Sequence, residues 1–237
     1  MTSTNRASPA TSRKPLFPGV RTPASRAAAL FLATAASMVA FNWQDRLATF
    51  GDDSASYLAL AHYFAGSAGS AVVAEWAPWQ AHFPPLFPLL LAWSGALRDL
   101  HVAFAIVALC GAAAVVLFQR LAANELGEGA GWAAALLFLL APTAWISLKG
   151  VLSESLFLAL CMASLLVHSR LCRARRDALE WLGYGILLAC AALTRAIGIV
   201  LIASYLLWLL RQLAIEKRRP SPRELLPVVP VIVLLGL

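Results

Sequence analysis

The chain has 237 residues, 60% of them hydrophobic and only 13% charged, with a mean hydropathy of +0.74. Apolar runs of this length and number exclude an ordinary water-soluble core and place the chain in a bilayer. The net charge of +7 would suggest a nucleic-acid partner in a soluble domain, but here the basic residues fall in the gaps between apolar runs, so they report membrane orientation and not a polyanion.

Residues 1–26 are rich in Ser, Thr, Pro and Arg and lack helical periodicity, which predicts a disordered basic cytoplasmic tail. The run from Ala27 to Trp43 is long enough to cross about 30 Å of hydrocarbon at 1.5 Å per residue. Its Ala-rich end also fits the apolar core of a signal peptide, but the apolar runs that follow favour a retained span. Next comes Gly51-Asp52-Asp53-Ser54, followed by Tyr57, Leu60, Ala61 and Phe64 at helical spacing, an amphipathic helix lying along the interface and ended by Gly66, Gly69 and Ser70. Asp53 or Ser54 is a plausible helix cap. Trp76, Trp79 and Phe83 sit among Pro78, Pro84, Pro85 and Pro88, a composition suited to headgroup depth. Pro85 fits the first turn of a short helix to about Leu97, too short to cross and read as re-entrant or interfacial.

Further spans are expected near residues 102–120, 130–148, 151–169, 180–194 and 196–211, with a seventh beginning near Leu225. Pro142, Lys149 and Gly150 interrupt the 130–169 stretch, and the spans 180–194 and 196–211 are separated at Arg195, because a single straight helix from Leu179 to Leu210 would measure about 48 Å. Together these make an all-α polytopic bundle, residues 27–237, with interfacial helices in its first extracytoplasmic loop and an end at Leu237 inside an apolar stretch, as in a C-terminally truncated chain. With the N-terminus in the cytoplasm, 15 of the 19 Lys and Arg fall on the cytoplasmic side, and Arg46, Arg98, Lys149 and Arg195 fall outside.

The same folding carries Asp52, Asp53, Glu75, His82, Lys149, Glu154 and Arg195 to the non-cytoplasmic face. Ionisable groups at span ends are costly to dehydrate and tend to line a cavity or to pair, so a polar site is expected there. Each also has a purely structural reading: Lys149 snorkels, Glu154 complements a helix dipole, Arg195 marks a turn and His82 packs at the interface. Two adjacent carboxylates repel one another, which makes the Asp52–Asp53 pair a candidate for proton transfer. The four cysteines, Cys110, Cys161, Cys172 and Cys190, have neither metal nor pairing spacing and are expected to be free thiols.

The order of a span, Asp52-Asp53 with Tyr57 and Ala61, Pro84-Pro85-Leu86-Phe87-Pro88-Leu89, Ser153-Glu154-Ser155-Leu156-Phe157 and Leu193-Thr194-Arg195 resembles the N-terminal half of C-type membrane glycosyltransferases. The branch is that of protein O-mannosyltransferases and lipid A aminoarabinose transferases, and the resemblance covers roughly residues 27–211. It implies an enzyme of the plasma membrane that moves a sugar from a polyprenyl-phosphate donor to a glycolipid, glycan or protein acceptor on the extracytoplasmic side. Asp52 is implied as catalytic base with Asp53 in support, and Tyr57, His82, Lys149, Glu154 and Arg195 as substrate-binding residues. Phe83 stands where some relatives have Lys, which passes any phosphate contact from that position to His82 or Lys149. No metal or other cofactor is called for, since a polyprenyl phosphate is already a good leaving group. Two other readings are a transporter or flippase, which predicts midplane charges and a repeated half, and a non-catalytic membrane scaffold, which predicts that the polar groups scatter.

Overall fold

A computed structural model of the chain describes residues 23–43, 52–67, 75, 83–146, 150–173 and 177–236, and every regular element among them is helical. The protein is an all-α polytopic membrane protein. Four segments, Pro23–Phe41, Leu100–Leu126, Glu154–Arg173 and Ala196–Ala214, are long and apolar enough to cross a bilayer.

Helix α1, Pro23–Trp43, starts four residues before the expected span, because a proline at the first helical position has no amide proton to leave unpaired. Arg26 therefore belongs to the helix, and Pro23 accepts a hydrogen bond from the Arg120 guanidinium at 3.0 Å. Helix α2, Asp52–Phe64, buries Tyr57, Leu60 and Ala61 and ends near Gly66, whose φ of 63° lies in the left-handed region. The first Ser of α2 does not cap it: Ser54 is fully buried and turned to another segment. Gly69 and Ser70, also expected to end this helix, lie outside the described residues. Pro85 precedes the nine-residue α3, Leu86–Ser94, which is closed by Gly95 at φ 84°. At 1.5 Å per residue α3 spans about 14 Å, well under the hydrocarbon thickness.

Helix α4, Leu100–Leu126, is the central post and packs on α1, on α5 (Glu128–Leu140) and on α7 (Glu154–Arg173). Its buried positions include Ala103, Ala108, Gly111, Ala112 and Ala114, small residues that allow close helix approach where lipid offers no hydrophobic drive. Where a span over 130–148 was expected, α5 stops at Leu140, and Pro142 opens a separate five-residue α6, Pro142–Ile146. Proline lacks the amide needed to continue the ladder, and its ring disfavours helical geometry at Ala141, which is extended.

Helix α8, Ala178–Thr194, ends at Arg195, which is extended at φ −148°, ψ 137°. A 3₁₀ turn, Ala196–Gly198, then leads into α9, Ile199–Ala214, which packs back on α8 as a hairpin. The turn is tight: a Cβ on Gly198 would lie 2.5 Å from the carbonyl carbon of Ala191. The short α10, Pro222–Leu225, and α11, Val228–Leu235, follow, and α11 lies against α8. Two apolar clusters result. One joins α1 to α4 through Met38, Tyr57, Phe87, Leu91 and Phe104, and the other joins α7, α8, α9 and α11 through Leu171, Trp181, Tyr184, Tyr205 and Val231. Large side chains such as Leu136, Leu137, Leu140 and Leu207 remain exposed, as expected for a lipid-facing surface.

Candidate active site

The first turn of α2, the segment leading into α7 and the C-terminus of α8 meet at one end of the bundle. Ser54 is the first tie. Its Oγ accepts the Val151 amide at 3.1 Å, and both residues are fully buried. A Cβ on Gly150 would lie 2.9 Å from the Ser54 Oγ, so only glycine fits this approach without a shift.

One turn later on α2, the Tyr57 hydroxyl lies 2.7 Å from the Ser153 Oγ. The phenol ring is held edge-on by Phe83 and Phe87, with centroids at 4.9 and 5.1 Å. Ser153 is fully buried at the entry to α7, and its carbonyl accepts the Phe157 amide at 2.9 Å. Its hydroxyl also receives a hydrogen bond from the Arg195 Nη1 at 3.4 Å. The same Nη1 donates to Glu154 Oε1, forming an ion pair across 41 residues of sequence. Glu154 stands in the first turn of α7, where the helix dipole favours a carboxylate. Its second oxygen, Oε2, is buried and has no hydrogen-bond partner among the described residues. Buried carboxylate oxygens are normally satisfied, so this one stands out among the described residues.

Burial pushes the Tyr57 phenol above its ordinary value, aided by the nearby Glu154 and Asp53 carboxylates and opposed by the Ser153 hydrogen bond and the Arg195 charge. Asp53 itself is exposed, one helical turn from Tyr57. A neutral hydroxyl, a buried serine, a guanidinium and a half-satisfied carboxylate thus line one polar patch. Such a set can bind hydroxyl groups and neutralise a developing phosphate charge.

Of the residues singled out from the sequence, Tyr57, Glu154 and Arg195 come together, with Asp53 nearby. Glu75 is exposed. His82 and Lys149 lie outside the described residues, as does the side chain of Asp52, whose backbone opens α2. Sequence reasoning missed Ser54 and Ser153. Ser153 had a signal, a serine directly before the acidic first turn of an apolar helix, which is a typical capping position. Ser54 had none beyond being mistaken for a cap. No group of three or more His, Cys, Asp or Glu able to hold a metal ion is found among the described residues.

The family model for dolichyl-phosphate-mannose-protein mannosyltransferase matches residues 82–235, well over half of the chain. The chain belongs to this family. It is a membrane-integral glycosyltransferase. The matched segment holds Ser153, Glu154 and Arg195 and begins after Asp52, Asp53 and Tyr57. No curated protein and no solved structure matches the chain.

Proposed function

We propose that the protein transfers a sugar from a polyprenyl-phosphate donor to an acceptor hydroxyl at the extracytoplasmic face of the plasma membrane, with inversion at the anomeric carbon. The observation that carries this reading is the Tyr57–Ser153–Arg195–Glu154 cluster, which draws the helix bearing Asp52 and Asp53 against the family-matched part of the chain. The donor in the family's name, dolichyl-phosphate mannose, is one member of the donor class; the acceptor is a glycolipid, glycan or protein.

In this mechanism the Asp52 carboxylate takes the acceptor hydroxyl proton as that oxygen attacks the anomeric carbon, and the bond from that carbon to the phosphate oxygen breaks on the opposite face. Asp53 supports Asp52 by keeping the local field negative. The departing phosphate gains charge, which Arg195 and Lys149 stabilise. Among the described residues Arg195 makes its contacts through Nη1, which leaves Nε and Nη2 as a fork for phosphate oxygens. Glu154 Oε2 accepts from a sugar hydroxyl, His82 contacts the phosphate side, and Tyr57 acts on the substrate through Ser153. The apolar helices hold the site at the bilayer boundary, where a polyprenyl chain resides.

The test is mass spectrometry of membrane glycolipids and glycoproteins from cells lacking the gene. The wild-type gene is expected to restore a missing sugar, and Asp52→Asn is expected to insert normally without restoring it. Restoration by Asp52→Asn would overturn the assignment of the base.

A further inference from the structure

Ser54 follows Asp52 and Asp53 in the first turn of α2, and it is turned away from its neighbour: Asp53 is exposed, whereas Ser54 is fully buried. A serine side chain has little apolar area to hide, so a wholly buried one contributes through its hydrogen bonds. Its oxygen accepts from the Val151 amide, 97 residues away in the sequence and fully buried as well. Val151 in turn stands three residues before Glu154, whose carboxylate holds Arg195. One hydroxyl therefore joins the turn that carries the aspartates to the segment that carries the ion pair.

Three residues further along α2 the helix has advanced about 4.5 Å and returned to the same face, and there Tyr57 meets Ser153. Two hydroxyls of α2 are thus matched to positions 151 and 153, which fixes the helix along its axis. Packing of α2 on α3 supplies the third constraint, against rotation about the line joining the two ties. Ser54 is the tie beside the aspartates, whereas Tyr57 is a full turn away. The opposite side of the bond is equally close-fitting. A Cβ on Gly150 would lie 2.9 Å from the Ser54 Oγ, and that oxygen could swing clear only by giving up the Val151 amide. The bond can therefore be broken from either side, at Ser54 or at Gly150.

We infer that Ser54 is a positioning residue for sugar transfer: its bond to the Val151 amide sets where the Asp52–Asp53 turn stands relative to the Glu154–Arg195 pair. The inference rests on the sugar-transfer reading and deepens it. A base on one helix and a charge-stabilising arginine on another act on the same transition state only if their separation is held, and a displacement of about 1 Å costs up to about 100-fold in rate. Ser54 touches neither substrate nor reacting atoms in this role. Its loss leaves Arg195 and Glu154 paired and able to bind, so turnover falls while substrate binding is kept.

The experiment adds the purified full chain to membranes from cells lacking the gene, which supply both the lipid-linked donor and the unmodified acceptor, and follows the restored sugar by mass spectrometry. Ser54→Ala and Gly150→Ala are each expected to lower the maximal rate about 10- to 100-fold, with the membrane dose giving half-maximal rate within about twofold of wild type. In the double variant the alanine methyl at 150 no longer meets a hydroxyl, so its rate is expected within about threefold of Ser54→Ala alone and not at the product of the two losses. Ala55→Ser, on the exposed side of the same turn, is expected to keep the wild-type rate. A wild-type rate in Ser54→Ala, losses that multiply in the double variant, or a raised half-maximal dose with an unchanged maximal rate would overturn the proposal. Loss of the folded state in both single variants, read by thermal unfolding, would also overturn it, by making the tie purely structural. Asp52→Asn separates the two levels. If it is inactive while Ser54→Ala keeps the wild-type rate, only this inference falls; if it transfers at the wild-type rate, the assignment of the base falls and takes this inference with it.

Discussion

Arg195, the residue that ends α8, donates to Glu154, the residue that begins α7, so one ion pair fixes where two membrane helices meet. Both side chains are about a third exposed, so solvent screens the pair and its direct contribution to stability is modest. In a double-mutant cycle of Glu154→Gln and Arg195→Gln, thermal unfolding in detergent is expected to give a coupling of about 1 kcal/mol or less. Sugar transfer is expected to fall at least about 100-fold in Arg195→Gln, because a lost charge-stabilising donor is felt mainly in the transition state. A coupling of several kcal/mol, or unchanged transfer, would contradict these roles.

Tyr57→Phe removes the hydroxyl from Ser153 while keeping the ring between Phe83 and Phe87. A cost of about 1 kcal/mol is expected for one buried hydrogen bond. Because burial raises the Tyr57 pKa, the unfolded chain ionises first. The contribution is therefore intact below the ordinary value of 10 and is lost as pH rises past it through the higher folded value. Wild-type unfolding temperature is expected to drop between pH 9 and about pH 11 more steeply than that of Tyr57→Phe, and parallel curves would refute this.

Gly198→Ala places a methyl carbon 2.5 Å from the Ala191 backbone, which is too close to tolerate without moving the turn after Arg195. The expected result is a loss of about 2 kcal/mol or more, together with weakened transfer because Arg195 is displaced. Gly183→Ala, with nothing within 4 Å of the added carbon, serves as the silent comparison. Equal behaviour of the two variants would show that the turn has slack.

Burial alone would raise the pKa of the nearly buried Glu224, but it is outweighed by the Arg218 guanidinium and the Ser221 amide, so the carboxyl lies below its ordinary 4.5. A depressed folded value means stability that is full above 4.5 and is lost as pH falls through the folded pKa. Fluorescence of Trp181 and Trp208 at this corner is expected to change on acidification below about pH 4, and to lose that change in Glu224→Gln. A transition that survives in Glu224→Gln would assign it to another group.

Much of this arrangement was legible because charge is scarce in an apolar chain. Glu154 and Arg195 could be placed at one membrane face from the apolar runs alone, and Pro85, Gly66 and the break at Arg195 punctuate the backbone through local chemistry that any chain obeys. Ser54 and Ser153 were not legible as ties, since a small hydroxyl carries no periodicity or charge and its role depends on which segments pack. The break at Pro142 illustrates a different limit. The proline was visible, but whether a helix kinks through it or stops depends on what neighbouring helices supply to the freed backbone groups, and here α5 stops at Leu140.

The central claim is that the α2 start and the Arg195–Glu154 pair lie on the extracytoplasmic side, with the arginine-rich end of α7 and α9 in the cytoplasm. It is tested most directly by single-cysteine labelling in intact cells, with the four native cysteines replaced by serine. Asp53 and Lys217 are both exposed, so each accepts the probe position. An impermeant maleimide is expected to label Asp53→Cys from outside and Lys217→Cys only after the membrane is opened. Labelling of Asp53→Cys only after opening would contradict the account.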